Sequence, residues 1–384
     1  MPAPHRRPAT PRNRSTVTVG DVADLLDALA PPSLAQSWDN VGLLTGDRSL
    51  TCQSALLCID LTLPVLQEAV KAHHSLVVAY HPPLFRPVQR LLADSPNTDA
   101  IVYRAIATGI AIYSPHTALD AAPGGTNDVL AALCGLSEVE PFDYPTPPST
   151  QSKIVTFVPA AQVDRVADAM ADAGAGRIGQ YEHCSYRLTG KGTFFGTEST
   201  QPRVGRRGRL ETVDEIRIEM VVPNRLLPEV IDALLRAHPY EEPAYDLYPL
   251  AQPPTFGIGR VGRLPKATTL RSLAAQLKEA TRSKVASIVG RPGTPIRRAA
   301  VCVGAAGRLP FEKPRAADCD VIVTGEIRHH DALTILRHGK TAIALGHAES
   351  ERPILPILAA RIKSRWPHLP TTVSRQDVPP FIPA

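Results

Sequence analysis

Residues 321–351 have the sequence VIVTGEIRHHDALTILRHGKTAIALGHAESE, which contains two short apolar runs, Val321–Val323 and Ala342–Leu345. Neither run alternates apolar with polar residues. Acid–base side chains follow each run closely, Glu326 after the first and His347 and Glu351 after the second. Unbroken apolar runs of this length are typical of strands that helices cover on both faces. The stretch therefore predicts an α/β fold with a parallel sheet.

Similar apolar runs recur along the chain, at Ala55–Ile59, Leu76–Ala79, Ile110–Tyr113 and Ala300–Val303. Stretches with helical periodicity lie between or after these runs, at Val65–Ala72, Asn127–Leu133, Leu270–Thr281 and Ile354–Ile362. Strands that alternate with helices in this way are characteristic of parallel-sheet α/β domains. We therefore predict that these segments form one such domain.

Two proline-rich stretches divide the sequence, PFDYPTPPS from Pro141 to Ser149 and PLAQPPT from Pro249 to Thr255, and both are typical of linkers. Between them the pattern predicts the order strand, helix, strand, strand, helix, strand, which is the ferredoxin-like arrangement. We therefore predict a split parallel-sheet α/β domain with an inserted ferredoxin-like (βαββαβ) domain. The predicted boundaries are 1–15 for a basic tail, 16–148 and 253–384 for the two halves of the α/β domain, and 149–252 for the insert.

The composition argues against several classes of protein. The 384 residues include 42 Lys and Arg and 37 Asp and Glu, and the net charge of +5 is too small to indicate nucleic acid as the main partner. No apolar run reaches the ~18 residues of a membrane span, and no signal-peptide core follows the N-terminus. The 6 cysteines lack CxxC spacing, which favours reduced thiols. We expect a cytoplasmic protein with a disordered basic tail and no membrane partner.

Imidazole and carboxylate side chains follow other apolar runs too, with His81 after Leu76–Ala79, and His116 and Asp120 after Ile110–Tyr113. In an open parallel sheet the carboxyl ends of the strands line one edge, where ligand sites form. A lone histidine is more often a satisfied polar side chain than a ligand, but repetition at one topological position favours a metal site. The predicted ligands of a divalent metal are His81, His116, Asp120, His347 and Glu351. Such nitrogen and oxygen donors suit zinc, iron or manganese.

Five motifs occur in order along the chain: SWDNVGLLTGD (Ser37 to Asp47), YHPPLF, HTALDAAPGGTND, TGEIRHHD and GHAESER. Together they resemble the GTP cyclohydrolase 1 type 2 family, also called Nif-three-like proteins. The resemblance covers nearly the whole chain after the basic tail. It implies a split α/β domain with a two-metal centre and, in the longer members, an inserted domain similar to the PII and CutA proteins. The segment HPYEEPAYDLYPL (His238 to Leu250) resembles the end of that insert.

Carried over residue by residue, the resemblance implies metal ligands at His81, Asp120, His347 and Glu351, with His116 beside them. One position departs from the family, because Tyr80 precedes His81 where the family has a second histidine. Neutral tyrosine is a poor metal ligand until it loses its proton at about pH 10. We therefore expect one or two metal ions per chain, bound with unequal affinity.

The family name implies hydrolytic opening of the guanine ring of GTP with release of formate. Glu326 and His330, at the end of a neighbouring predicted strand, are the expected catalytic groups that move protons. Two alternatives use the same site: a metal-dependent phosphoesterase, and a non-enzymatic regulatory or sensor protein. In each case we expect a small-molecule partner, such as a nucleotide, and a homo-oligomer.

Overall fold

The computed structural model describes residues 16–144, 149–251, 254–307 and 309–382. The chain divides into two units. The middle unit is Thr146–Pro253, and the flanking unit is formed by the segments before and after it. The basic tail predicted for residues 1–15 lies outside the described residues. No helix in the described part of the chain is long and apolar enough to span a membrane.

The strands, in chain order, are β1 (Gly42–Thr45), β2 (Ala55–Cys58), β3 (Leu76–Ala79), β4 (Ala111–Ser114), β5 (Ser137–Glu140), β6 (Gln151–Pro159), β7 (Tyr186–Phe195), β8 (Leu210–Pro223), β9 (Tyr245–Pro249), β10 (Arg260–Thr269), β11 (Ser287–Val289), β12 (Pro295–Cys302), β13 (Val321–Thr324), β14 (Thr341–Ala344) and β15 (Thr371–Val373). The helices are α1 (Val19–Leu29), α2 (Leu63–Lys71), α3 (Thr98–Ala107), α4 (His116–Ala121), α5 (Thr126–Cys134), α6 (Val163–Asp172), α7 (Leu227–Ala237), α8 (Leu270–Ala280), α9 (Leu309–Glu312), α10 (Pro314–Ala317), α11 (His329–Arg337), α12 (His347–Glu351) and α13 (Ile354–Arg365).

The first sheet of the flanking unit has the strand order β1-β4-β3-β2-β15. Strands β4, β3, β2 and β15 run parallel, and β1 pairs antiparallel with β4 at one edge. Every residue of β2 and β3 is buried. Leu57 and Val78 pack in one core cluster with α1 and α13, whereas Leu56 and Val77 pack in another with α2 and α3. Both faces are covered, which explains why these strands have unbroken apolar sequences.

The second sheet of the flanking unit has the strand order β11-β14-β13-β12-β10-β5. Its central strands β12, β13 and β14 run parallel, and β11, β10 and β5 pair antiparallel with their neighbours. The α/β class is as predicted, and the central strands of both sheets are parallel, but the strands divide into two sheets that each include antiparallel pairs. An apolar run indicates that both faces of a strand are covered and does not identify the neighbouring strands. The partly exposed edge strands β1 and β11 have no such run.

The middle unit contains six main elements in the order β6, α6, β7, β8, α7 and β9. Its antiparallel sheet has the strand order β7-β8-β6-β9. Side chains of both helices, such as Val166 and Leu234, form a core cluster with Ile154 of β6 and Ile218 of β8. The helices therefore cover one face of this sheet with their apolar sides.

Candidate metal centre

Strands of both sheets in the flanking unit end close to acid–base side chains. Asp60, His81 and His116 lie just beyond the ends of β2, β3 and β4. Glu326 and His347 lie just beyond the ends of β13 and β14. Residues at the carboxyl ends of parallel strands commonly form ligand sites, because the sheet fixes the positions from which the loops begin.

His81, His347 and Glu351 form a compact group in which one potential ligand atom from each lies within 4.8 Å of the others. Oε2 of Glu351 lies 3.3 Å from Nε2 of His81, and Oε1 lies 3.3 Å from Nε2 of His347. His347 and Glu351 begin and end α12, so they lie one turn apart on the same face of that helix. The carboxylate therefore lies between the two imidazole rings.

Carboxylates also accept hydrogen bonds from the Nδ1 atoms of His81 and His347, the ring nitrogens that do not face Glu351. Nδ1 of His81 donates to Asp60 at 2.9 Å, and Nδ1 of His347 donates to Glu326 at 3.1 Å. Because the Nδ1 atoms carry these protons, the Nε2 atoms that face Glu351 are the ones available to a metal. Carboxylate–histidine pairs of this kind fix the tautomer and the orientation of the ring at metal sites.

Burial and charge act in opposite directions on this group. Burial disfavours the protonated ring of His81, but the carboxylates of Asp60 and Glu351 outweigh it and raise the pKa of His81 to about 10. The hydrogen bond to Glu351 raises the pKa of His347. Burial favours the neutral acid of Glu351, but the two histidines lower its pKa. Protons on the imidazoles thus balance a buried carboxylate, and a divalent cation can replace them.

Two observations support the fit of a divalent cation to these residues. Glu351 is only 3% exposed, and its Oε2 makes no hydrogen bond among the described residues, although it lies 3.3 Å from Nε2 of His81. A carboxylate oxygen in the interior that makes no hydrogen bond is costly unless a nearby positive charge compensates it. Gly304 leaves room beside it, since a Cβ atom there would lie 2.8 Å from Oε1 of Glu351 and 3.4 Å from Nε2 of His347. Two imidazoles and a carboxylate are a donor set that zinc and iron use at catalytic sites.

His116 and Asp120 lie near this group, although neither belongs to the cluster of three. The ring centroid of His116 is 5.3 Å from that of His81, and its Nδ1 donates to Asp39 at 2.8 Å. His116 has a φ of +22°, which is unusual for a residue other than glycine. Asp120 accepts a hydrogen bond from the hydroxyl group of Tyr80. The assignment of His116 and Asp120 as ligands stays a prediction.

Tyr80 is fully buried and keeps its phenolic proton. Burial and the charge of Asp120 raise the pKa of Tyr80 well above its ordinary value. Burial also raises the pKa of Asp120, to about 6, although the hydrogen bond from Tyr80 acts in the opposite direction. Tyr80 is thus a hydrogen-bond donor to a carboxylate that the family resemblance identifies as a ligand.

The two predicted catalytic residues occupy different environments. The side chain of Glu326 is 51% exposed and holds the ring of His347, so it lies at the edge of the cluster. His330 is exposed on α11, and its ring contacts that of the adjacent His329 edge to face at 5.4 Å between centroids. The contacts of the described residues therefore connect Glu326, but not His330, to the cluster.

Two carboxylates of this region, Asp60 and Asp39, were not predicted from the sequence. Asp60 directly follows the apolar run Ala55–Ile59, which is the same signal that identified His81. Asp39 lies inside the motif SWDNVGLLTGD, and its carboxylate accepts hydrogen bonds from both His116 and Thr117. Hydrogen bonds to His81 and His116 lower the pKa of each aspartate even though burial alone would raise it. Both are therefore ionised partners that orient a histidine.

A cavity of about 860 Å³ lies in the middle unit. Its lining includes Phe157, Phe194, Arg217 and Glu215. The three members of the metal-binding cluster all belong to the flanking unit. Within the described part of the chain, that cluster is the group of histidine and carboxylate side chains with metal-ligand spacing.

Comparisons with known proteins identify the family that the chain resembles over most of its length. The sequence model of the family Duf34/NIF3 (NGG1p interacting factor 3) matches residues 17–380. A "GTP cyclohydrolase 1 type 2 homolog" of Mycobacterium tuberculosis is 39% identical over 342 residues, 88% of this chain and 89% of its own length. A protein of the same description from Halalkalibacterium halodurans is 38% identical over 327 residues, 85% of this chain and 87% of its own length.

Solved structures extend this similarity to the fold. The crystal structure of a Bacillus cereus protein related to NIF3 is 32% identical, with a TM-score of 0.66 over 96% of this chain and 99% of that chain. The crystal structure of Staphylococcus aureus protein SA1388 is 26% identical, with a TM-score of 0.68 over the same shares, 96% and 99%. The similarity therefore extends over both units of the chain.

Proposed function

The chain belongs to the Duf34/NIF3 family, and we propose that it is a divalent-metal-dependent hydrolase that acts on a nucleotide such as GTP. The observation that supports the proposal most strongly is the buried carboxylate of Glu351, whose two oxygens face Nε2 of His81 and Nε2 of His347. The descriptions of the relatives as GTP cyclohydrolase 1 type 2 homologs support the choice of nucleotide.

In this proposal His81, His347 and Glu351 hold the cation. A bound divalent cation supplies Lewis acidity and a water molecule of lowered pKa. Asp60 and Glu326 hold the two imidazoles with Nε2 directed inward, since each accepts the Nδ1 proton. Glu326 has a second role, because its half-exposed carboxylate can exchange protons with solvent at the edge of the site. His330, on α11, remains a candidate for the other proton transfer.

We also propose that His116 and Asp120 form the second, weaker metal position. The ring of His116 lies next to that of His81, and Asp39 fixes its Nδ1 in the same way that Asp60 fixes that of His81. The hydroxyl group of Tyr80 donates a hydrogen bond to Asp120 and so partly offsets its negative charge. Tyr80 keeps its proton and so provides no strong donor of its own, which makes this position weaker than the first.

The middle unit is proposed to be an inserted ferredoxin-like domain. The element order β6, α6, β7, β8, α7, β9 and the strand order β7-β8-β6-β9 support this assignment. As the segments on either side form the other unit, an insertion between the two halves of one domain is the simplest description.

The test combines metal analysis with product analysis. Protein purified without an affinity tag is assayed for metal content and then incubated with GTP, with release of formate and of a pteridine measured separately. We expect both products from the unchanged protein and from Glu279→Gln, an exposed carboxylate on α8, and neither product from Glu351→Gln. Turnover of simple phosphate esters alone would favour a phosphoesterase. Binding of GTP without any turnover would favour a regulatory protein and contradict the proposal.

A further inference from the structure

Two exposed aromatic side chains lie beside the metal-binding cluster. Trp38 is 56% exposed and Phe85 is 43% exposed. Their ring centroids are 5.6 Å apart, and they lie 6.1 and 6.4 Å from the ring centroid of His116, which each approaches edge to face. His116 in turn lies 5.3 Å from His81. The aromatic pair thus continues the row of rings from the cluster to solvent.

Hydrogen bonds of the two residues after Trp38 fix the position of this pair. Asp39 accepts hydrogen bonds from Nδ1 of His116 and from the backbone N–H of Thr117. Its side chain is fully buried. Asn40 donates its side-chain amide to the backbone carbonyl of Leu84, the residue before Phe85. Trp38 therefore precedes Asp39, which is hydrogen-bonded to His116. Phe85 follows Leu84, whose backbone carbonyl accepts a hydrogen bond from Asn40.

The exposure of the pair is consistent with a role in binding. Large aromatic rings that are left in solvent at the edge of a site have apolar faces available to a ligand, and fixed rings lose little entropy on binding one. The same loop carries Arg86 and Arg90, which are exposed and make no ion pair among the described residues. A ligand that is planar at one end and anionic at the other matches these two features together.

We infer that Trp38 and Phe85 bind the base of a nucleotide and that Arg86 and Arg90 bind its phosphates. The inference rests on the proposed function, for which it specifies the orientation of the substrate. The base lies next to His116 and the metal-binding cluster, and the phosphates lie on the loop after Phe85. This orientation suits chemistry on the base ring, whereas a phosphoesterase would require the phosphate next to the metal.

Tryptophan fluorescence provides a direct test, because Trp38 and Trp366 are the 2 tryptophans of the chain. Trp366 packs against a core cluster of the flanking unit, and Trp366→Phe leaves Trp38 as the sole emitter. The metal-loaded, full-length variant is titrated with guanosine, with GTP and with inorganic tripolyphosphate. We expect guanosine and GTP to quench Trp38, and tripolyphosphate to leave its emission unchanged.

Substitutions then measure the contribution of each ring by calorimetry. We expect Trp38→Leu and Phe85→Leu each to weaken guanosine binding on the order of tenfold, the scale of one lost aromatic stack, with metal content unchanged. Trp38→Phe should restore much of the affinity. The matched control is Tyr103→Leu, which removes a ring that is also 43% exposed but lies on α3, and it should bind guanosine as the unchanged protein does.

The outcomes separate this inference from the proposed function. If GTP is hydrolysed but neither Trp38→Leu nor Phe85→Leu changes guanosine affinity or the KM for GTP, the inference is wrong and the hydrolase proposal stands. If guanosine quenches Trp38 and the variants bind it weakly while no GTP is turned over, the base-binding site stands and the hydrolase proposal fails. Equal quenching by tripolyphosphate would also overturn the inference.

Discussion

Gly304→Ala tests whether the space beside Glu351 is needed for metal binding. Gly304 has a φ of +65°, and its added Cβ would lie 2.8 Å from Oε1 of Glu351. The positive φ alone costs about 1–2 kcal/mol for a residue with a Cβ atom. A carbon–oxygen distance of 2.8 Å is well inside van der Waals contact, so the carboxylate must move, at a further cost of about 1–3 kcal/mol.

Gly339→Ala is a matched control for the backbone contribution. Gly339 has a φ of +66°, close to that of Gly304, and a Cβ atom there would meet nothing within 4 Å. We expect Gly339→Ala to lower the free energy of unfolding only by the backbone cost of the positive φ. Gly304→Ala should lower it by that cost and also by the cost of displacing the Glu351 carboxylate. Denaturant unfolding of the metal-free proteins measures this difference.

Metal affinity separates the two variants further. Because the displaced Oε1 atom of Glu351 is the one that faces His347, we expect Gly304→Ala to bind metal at least ~10–100-fold more weakly, by analogy with disturbed ligand support at other sites. Gly339→Ala should bind it normally. Competition with a chelator gives both affinities. If Gly304→Ala kept the full affinity while showing the larger loss of stability, Glu351 would not be a ligand in the position described.

Three further predictions concern the support of the site, its second position and the middle unit. Asp60→Asn should lower metal affinity about 10–100-fold with little change in the fold, because Nδ1 of His81 loses its charged acceptor; an unchanged affinity in chelator competition would show that Asp60 does not orient the ring. Metal analysis should find about one ion per chain in the unchanged protein and about two in Tyr80→His, because an imidazole is a far better neutral donor than a phenol; two tightly bound ions in both proteins would place Tyr80 outside the ligand shell. Thr146–Pro253 expressed alone should unfold cooperatively, since it has a core cluster of its own; a spectrum of an unfolded chain would contradict the insertion proposal.

The sequence predicted the strand interiors of the flanking unit well, for a clear physical reason. The runs Leu76–Ala79 and Ala342–Leu345 agree with β3 (Leu76–Ala79) and β14 (Thr341–Ala344) to within one residue at each end. Strands that are covered on both faces leave an apolar run with no competing interpretation. Strand pairing was not predictable in the same way, because the division into two sheets depends on contacts that no local pattern encodes.

The sequence was less informative about the candidate site. His81, His347 and Glu351 were identified because each follows an apolar run, and the structure brings them together. Asp60 carries the same signal, but no histidine lies close to it in the sequence to mark it as part of a site. The partnership of Tyr80 with Asp120 was not predictable, since it joins side chains 40 positions apart through a single hydrogen bond. Repetition of a residue type thus indicates where a site lies but does not identify the groups that orient its ligands.

The metal site can be observed directly by anomalous X-ray scattering from crystals of the protein purified without an affinity tag and supplied with zinc, iron or manganese. We expect a metal peak bonded to Nε2 of His81, to Nε2 of His347 and to an oxygen of Glu351, at about 2.0–2.2 Å for zinc. In crystals of Glu351→Gln this peak should be lost or strongly reduced. A metal bound elsewhere in the chain, with these three side chains still in contact with one another, would show that they are not its ligands.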